Sequence, residues 1–434
     1  MRALLALVLL SAIASAETPR FRRFTSRSSM GRTQRGLQAV TSLAFFEAFP
    51  VGGAGTSGAC STTPPTGAKG EVLTFTRAST AMCTKTASGG LATTGISDSD
   101  LVLLSTNQPR VEYDANGVLG LLVESASTPG NVVVQSELPC NAAYVDVGAP
   151  TCSAGAAAGP LGAASMAQFT DASAVAFAGR AQVIADTSQT QHTVYAYVKA
   201  GTASSATITL SGTGNSAGDC TGTVTGLSTT TSKILSCTGA AYGVGITAIT
   251  VTVTVGTVVA DMGTLFVYGY DAKPSAPYVT SHIPTTTVAV ARAVEGAIFA
   301  LASAPGSIGS AAGSHTAEQT GSVPNTGGPG IYFGSSARAL QGFSNSLQAF
   351  DGTNNPVVLM SYVAGTTKRA YSSWSTANGW LIRNVTDSLQ TTSAFAVGTW
   401  APTATLNIQG GSAAFFTDGI VSRLCYDPLE SRCR

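Results

Sequence analysis

Glu112 and Asp114 are two positions apart in PRVEYDANGVLGLLVES, a run that alternates like a strand. Positions i and i+2 of a strand share a face, so two carboxylates there could serve as the acid/base and nucleophile of glycoside hydrolysis. A Glu-x-Asp-x-x-Glu pattern needs a third acid at position 117, which is Gly117, and Asp114-Ala115-Asn116-Gly117 reads as a hairpin turn. The pair is therefore expected to be structural. The sequence has three histidines, His192, His282 and His315, and a three-histidine zinc site would need all of them from three separate segments. His192 starts an alternating run and is expected to be half-exposed on a sheet. Gly53-Ala54-Gly55-Thr56-Ser57-Gly58 spells GxGxxG, but Cys60 and Pro64-Pro65 follow and prevent the helix that a dinucleotide site requires. With so poor a catalytic inventory, no enzyme is expected.

Aromatic side chains offer a different chemistry, because sugar rings present apolar C–H faces that stack on them. Trp374 and Trp380 flank Ser375-Thr376-Ala377-Asn378-Gly379, whose Asn-Gly favours a tight turn. An exposed turn there would carry two indoles. Tyr195 and Tyr197 share one face of HTVYAYVKA, opposite Val194, Ala196 and Val198. These four aromatics are the candidate glycan-binding residues, and core packing is the competing role for each.

The elements that must position them read as strands. Of 434 residues only 10% are charged and 44% are hydrophobic, with 48 glycines. Low charge argues against a coiled coil, a charged disordered chain or a nucleic-acid-binding surface. Seven arginines lie within the first 35 residues, leaving 16 basic against 21 acidic residues from residue 36 onward. That part is therefore net acidic and has no pull for phosphate backbones. Beyond the N-terminus no apolar run is long enough to span a bilayer, so no integral membrane protein is expected.

MRALLALVLLSAIASA, residues 1–16, has a basic start, an apolar core and an Ala14-Ser15-Ala16 cleavage site, the pattern of an export signal. Residues 17–44 form a basic flexible segment and 45–139 a β-rich leader, and 37–49, across their boundary, could be a short helix or a strand. Short strands with Gly, Asn and Ser between them fill 140–278, as in a sandwich or jelly roll. Residues 303–330 are rich in Gly, Ser, Pro and Thr and are expected to be a long loop or a weakly ordered insert. The fold class is all-β, with tandem β-sandwich (jelly-roll) domains behind the leader. In an exported chain the eight cysteines are expected to pair locally, as Cys60–Cys83, Cys140–Cys152, Cys220–Cys237 and Cys425–Cys433.

Four phrases carry a family resemblance. LTFTRAST (73–80) and PRVEYDANGVLGLLVESAS (109–127) are similar to the leader of bacteriophage tail-associated and related bacterial surface proteins, with Gly120-Leu121-Leu122-Val123-Glu124 matching its "GLLIE" phrase. TLFVYGYDAKPSAPYVTSHIPTTTVAVARAVE (264–295) resembles the exit from a jelly-roll carbohydrate-binding module and the connector after it. There Tyr278, Ile283, Pro284, Thr285 and Arg292 fit, and His282 replaces a usual Tyr. GIVSRLCYDPLESRC (419–433) resembles the last strand of a concanavalin-like (laminin-G-like) jelly roll. The resemblance implies a carbohydrate-binding-module-like domain at 140–278, a connector at 279–292 and a concanavalin-like domain at 293–434. It also implies a structural calcium, for which Asp261 and Asp271 are the candidate ligands, and no other cofactor. The cysteines and the leader peptide depart from the phage pattern and point to a secreted or bacterial cell-surface relative. The expected function is non-enzymatic glycan binding or adhesion, with a glycan or cell-surface polysaccharide as partner. A subunit of a phage-tail-like fibre and a glycan-degrading enzyme remain the alternatives, and homo-oligomerisation stays open.

Overall fold

The computed structural model describes residues 46–48, 59–61, 73–85, 95–113, 118–124, 127–276, 279–293, 295–300, 312–321, 330–333, 337–343, 346–351, 353–360, 366–396, 405–409 and 419–427. All lie within one unit, Ser42–Arg434. The described elements are β-strands joined by turns, and every pairing is antiparallel. The expected signal peptide and basic segment lie outside the described residues, as do Asp114, Tyr278 and Cys433. No helix among the described residues is long and apolar enough to cross a membrane.

The middle sandwich packs a six-stranded sheet on a five-stranded one. The six-stranded sheet runs in the order Thr151–Gly159, Gly162–Asp171, Gly263–Pro274, Gln191–Ala200, Thr231–Ala241, Ile96–Ser97. The five-stranded sheet runs Cys220–Val224, Ala206–Thr213, Ala248–Val255, Gly179–Ala185, Val145–Val147. Alternation decides the inner faces. In Ala248–Val255 the residues Ile249, Val251 and Val253 point inward, and they meet Val194, Ala196 and Val198 from the opposite sheet. Burying a branched aliphatic side chain stabilises by roughly 1.5–3 kcal/mol, so this interior dominates the sandwich. Cys220–Cys237 bridges the two sheets along one side. Gly222 sits beside it because a Cβ there would lie 1.9 Å from the Ser236 carbonyl oxygen.

The C-terminal sandwich includes the leader. One sheet runs Leu389–Ser393, Gly379–Asn384, Thr367–Ser375, Ala312–Gly321, Gly419–Asp427, Leu119–Val123, Arg110–Tyr113, with Phe46–Ala48 also paired to Gly419–Asp427. The other runs Leu73–Thr76, Gly296–Ala300, Thr405–Gln409, Gly330–Phe333, Ala337–Phe343, Ser346–Phe350, Val357–Leu359. Leader strands thus pair directly with strands from the last third of the chain. Met82, Ile96 and Leu101, also from the leader, pack on the outer face of the middle sandwich.

Two expectations need correction. Within 303–330, read as a loop, Ala312–Gly321 is an interior strand paired on both sides. Its sequence AGSHTAEQTG has no apolar alternation, yet Ser314, His315, Thr316 and Gln319 are buried there. Backbone pairing to two neighbours holds this strand in place where side-chain pattern does not. His192, expected to be half-exposed, is fully buried. Its Nδ1 faces the Thr190 carbonyl at 2.9 Å, and its Nε2 lies 2.8 Å from Asp186 and 3.3 Å from Ser188. Acid and hydroxyl meet the same ring nitrogen, so the three do not form a relay of the Ser-His-Asp kind.

Candidate functional site

Eight charged side chains converge where the leader, the connector and the middle sandwich meet. Arg77, Arg110, Arg292 and Lys273, and Glu112, Glu124, Glu295 and Asp271, are all at most 2% exposed. Glu295 holds Arg77 through Oε1 at 3.2 Å and Arg110 through Oε2 at 2.7 Å, and also accepts the Glu124 backbone N–H at 2.8 Å. Glu124 pairs with Arg110 and, at 3.1 Å, with Arg292. It also accepts the Ser281 hydroxyl at 2.5 Å and the Ser281 N–H at 3.1 Å. Arg292 donates to the Thr280 hydroxyl and the Ser281 carbonyl. Lys273 donates to the same two atoms, both at 2.5 Å, and stands 3.4 Å from Asp271.

The electrostatics follow from burial opposed by pairing. Burial pushes the Glu124 carboxyl up, but Arg110, Arg292 and the Ser281 hydrogen bond outweigh it and hold the group well below the usual carboxylate range. Glu112 is on the same sheet but less well compensated. Burial pushes it up to about 8 against the attraction of Arg110, with Glu124 adding to the rise. Lys273 is pushed down to about 7 by burial, against the pull of Asp271. A buried ion network of this kind is costly to break, because removing one partner leaves an uncompensated charge.

The tyrosine pair lies next to this network. Tyr195 and Tyr197 do share a face opposite Val194, Ala196 and Val198, but they are 0% and 5% exposed. The connector and leader cover that face. Tyr195 donates to Asp271 at 3.0 Å and to the Thr280 carbonyl, and Asp271 also faces His282 Nδ1 at 3.1 Å. Neither ring offers a stacking face to a sugar, which corrects the expectation placed on them. Tyr268 packs against Tyr197 and His282, and its hydroxyl donates to Glu137.

Glu137 opens onto a cleft of about 240 Å³ on the middle sandwich. One wall is the loop 137–141, the other the hairpin of Thr151–Gly159 and Gly162–Asp171. The hairpin is irregular. Ser153 pairs with Gln168 and Ala157 with Met166, so Ala154, Gly155 and Ala156 stand opposite Ala167 alone. Gly155 and Ala164 both adopt positive φ, 60° and 54°. For Ala164 this is a strained conformation that its surroundings must maintain. The loop wall is fixed by Cys140–Cys152 and by Arg180, which donates to the carbonyls of Asn141 and Tyr144. Replacing both Cys140 and Cys152 with Ser should lower unfolding stability by about 2–4 kcal/mol. Denaturant titration of the oxidised parent and the variant measures this.

The other sequence candidates fall elsewhere. Trp374 and Trp380 face each other across the hairpin as expected, with ring centroids 5.4 Å apart, but both are 0% exposed. Trp380 Nε1 donates to Asp351 at 3.0 Å and its ring meets Phe395 edge-on. The turn itself, Thr376 to Asn378, is exposed while its flanking indoles turn into the sandwich. The expectation of two exposed indoles is thereby corrected. Trp380→Ala should cost about 3–5 kcal/mol and lower the melting temperature by several degrees, as calorimetry would show. Asp261 accepts Thr257 N–H and hydroxyl, Val258 N–H and the Ser205 hydroxyl, closing its own loop. Asp271 belongs to the buried network. Among the described residues no group of three or more His, Cys, Asp or Glu is placed to hold a metal ion. Cys60–Cys83, Cys140–Cys152 and Cys220–Cys237 are bonded, while the Cys425–Cys433 pairing lies outside the described residues. Three disulfides fit an oxidising, extracellular setting.

Sequence reasoning missed Glu137, Asn141 and Ser165. The available signal was the cysteine pair bracketing 140–152 and the Ala/Gly run after it. Glu124, Ser281, Arg292 and Glu295 stand within the matched phrases, and their sequence positions alone do not reveal that they touch.

No family model matches the chain, and no curated protein matches it. Among solved structures, the enzymatically active domain of tailspike protein 4 from bacteriophage CBA120 is similar over 33% of this chain and 21% of its own length, at 14% identity and a TM-score of 0.27. The chain thus spans about a fifth of that tailspike. The binding domain of botulinum neurotoxin DC, solved with rat synaptotagmin II, is similar over 33% of this chain and 38% of its own, at 10% identity and a TM-score of 0.26. The tandem CBM22 domains of Paenibacillus barcinonensis Xyn10C cover 71% of this chain and 93% of their own, at 8% identity and a TM-score of 0.26.

Proposed function

We propose that this chain is a non-enzymatic, extracellular glycan-binding or adhesive protein. One observation carries this reading. The acids of the charged network, Glu112, Glu124 and Glu295, are sealed from solvent, and Glu124 and Glu295 are paired to arginines. Two-carboxylate hydrolysis needs acids that reach a substrate and a water. Here the acids hold the leader and connector against the middle sandwich, which makes a rigid body suited to presenting a surface. Three disulfides support the extracellular setting. A glycan array probed with the secreted chain is the test. Saturable binding to at least one glycan without its degradation is expected. Cleavage of a bound glycan, or a trimer in light scattering that binds none, would overturn the proposal in favour of an enzyme or a fibre subunit.

A further inference from the structure

The cleft beside Cys140–Cys152 presents an unusual mixture for its size. Its walls are mostly small and uncharged, with Ala154, Gly155, Ala164 and Ala167 lining it. Leu138 is 51% exposed on the rim and offers a small apolar surface. Against this stand three polar side chains with free capacity. Glu137 uses Oε1 to accept from Tyr268, which leaves Oε2 to accept another donor. Asn141 uses Oδ1 to accept the Ala143 N–H, which leaves Nδ2 to donate. Ser165 donates to the Gly162 carbonyl and can still accept. The backbone of Ala154 and Gly155, outside the regular register of the hairpin, forms part of the same wall.

We infer that this cleft binds a single uncharged sugar ring. A ligand must both donate and accept to satisfy this set, and vicinal hydroxyls do both. An ammonium donates only and leaves the Asn141 amide donor unmet. A carboxylate, sulfate or phosphate meets the Glu137 carboxylate with like charge, and no cation lines the cleft to offset it. Size points the same way: about 240 Å³ is below the ~300–1,000 Å³ of sites for drug-sized ligands, so it takes one ring and not a chain. The walls are held in place before binding by the disulfide, by Arg180 and by a run of turns at Leu138, Asn141 and Tyr144. Little ordering cost therefore falls on the ligand's arrival.

This inference rests on the glycan-binding reading above, and its test separates the two. The full chain is titrated by calorimetry and ligand-observed NMR with methyl hexopyranosides and, separately, with N-acetylneuraminic acid. Ala154→Trp fills the cleft from an exposed position, and Glu137→Gln removes the charge while keeping an acceptor for Tyr268. Thermal unfolding confirms that each variant folds. Saturable binding of a neutral glycoside is expected, weakened about tenfold or more by each substitution, since hydrogen bonds to charged groups are the stronger ones. N-acetylneuraminic acid should bind at least tenfold more weakly. Neutral binding that survives both substitutions overturns the site and leaves the glycan-binding reading standing. Tighter binding of the anionic sugar overturns the ligand class. If neither the glycosides nor the array yields binding, both readings fall.

Discussion

Glu295→Gln should lower unfolding stability by about 3–5 kcal/mol, the range seen when a buried ion pair loses one member. Glu295 is the hub of the joint. It neutralises Arg77 and Arg110, and it accepts the Glu124 N–H. Glutamine keeps one acceptor but no charge, so two guanidinium groups remain buried with Glu124 as the main compensating acid. Glu124 is already shared with Arg292. The loss should also be visible in cooperativity. All three tryptophans, Trp374, Trp380 and Trp400, fall in the last third of the sequence, so indole fluorescence follows that region alone. Far-UV circular dichroism follows all the strands. In the parent the two transitions should coincide, because the joint ties the sandwiches together. In Glu295→Gln they should separate, with the indole signal changing at lower denaturant. Coincident transitions at the parental midpoint would show that the network contributes little and that apolar packing alone joins the two parts.

The strands of the middle sandwich were legible because their inner faces alternate cleanly. Ile249, Val251 and Val253 announce one wall, and Val194, Ala196 and Val198 the other. The same pattern showed that Tyr195 and Tyr197 share the opposite face. It could not show that this face is covered, because Met82, Ile96 and Leu101, which cover it, come from about a hundred residues earlier. Alternation reports which residues point together, and burial depends on what packs there from elsewhere. The indoles mislead for a related reason. Asn378-Gly379 marks the turn correctly, yet Trp374 and Trp380 pair across the hairpin on the face that meets Asp351 and Phe395 from other segments. Ala312–Gly321 was unreadable as a strand because its inward residues are polar. The charged joint was half legible. In a chain with 10% charge, Arg110, Glu124 and Arg292 inside apolar phrases stand out. The partnership of Arg292 with Glu124, far apart in the chain, is a property of topology.

Glu112 provides the second large effect, with the opposite sign. Its Oε2 has no hydrogen-bond partner, and burial pushes its carboxyl from the ordinary 4.5 up to about 8. Below pH 4.5 the group is protonated in both folded and unfolded chains, so it contributes no pH dependence there. Between 4.5 and about 8 the unfolded chain gives up the proton while the folded chain keeps it. Folding therefore takes up a proton, and stability falls as pH rises through that window. At about 1.4 kcal/mol per unit, the cost reaches roughly 3 kcal/mol by pH 7 and levels off above pH 8. Glu112→Gln removes the titration. Its amide keeps an acceptor for the Thr84 N–H and carries no charge among Arg110, Glu124 and Glu295. The variant should match the parent near pH 4, exceed it by a few kcal/mol at pH 7 and show its largest advantage near pH 8. Lys273, lowered to about 7, adds the opposite slope above that pH, because the folded chain then releases a proton that the unfolded chain keeps. That contribution is common to both proteins and cancels in their difference. Urea titrations of both at pH 4, 5.5, 7 and 8, with the disulfides intact, measure it. A difference that stays flat across the series would mean that Glu112 is ionised in the folded chain, with Arg110 compensating it fully.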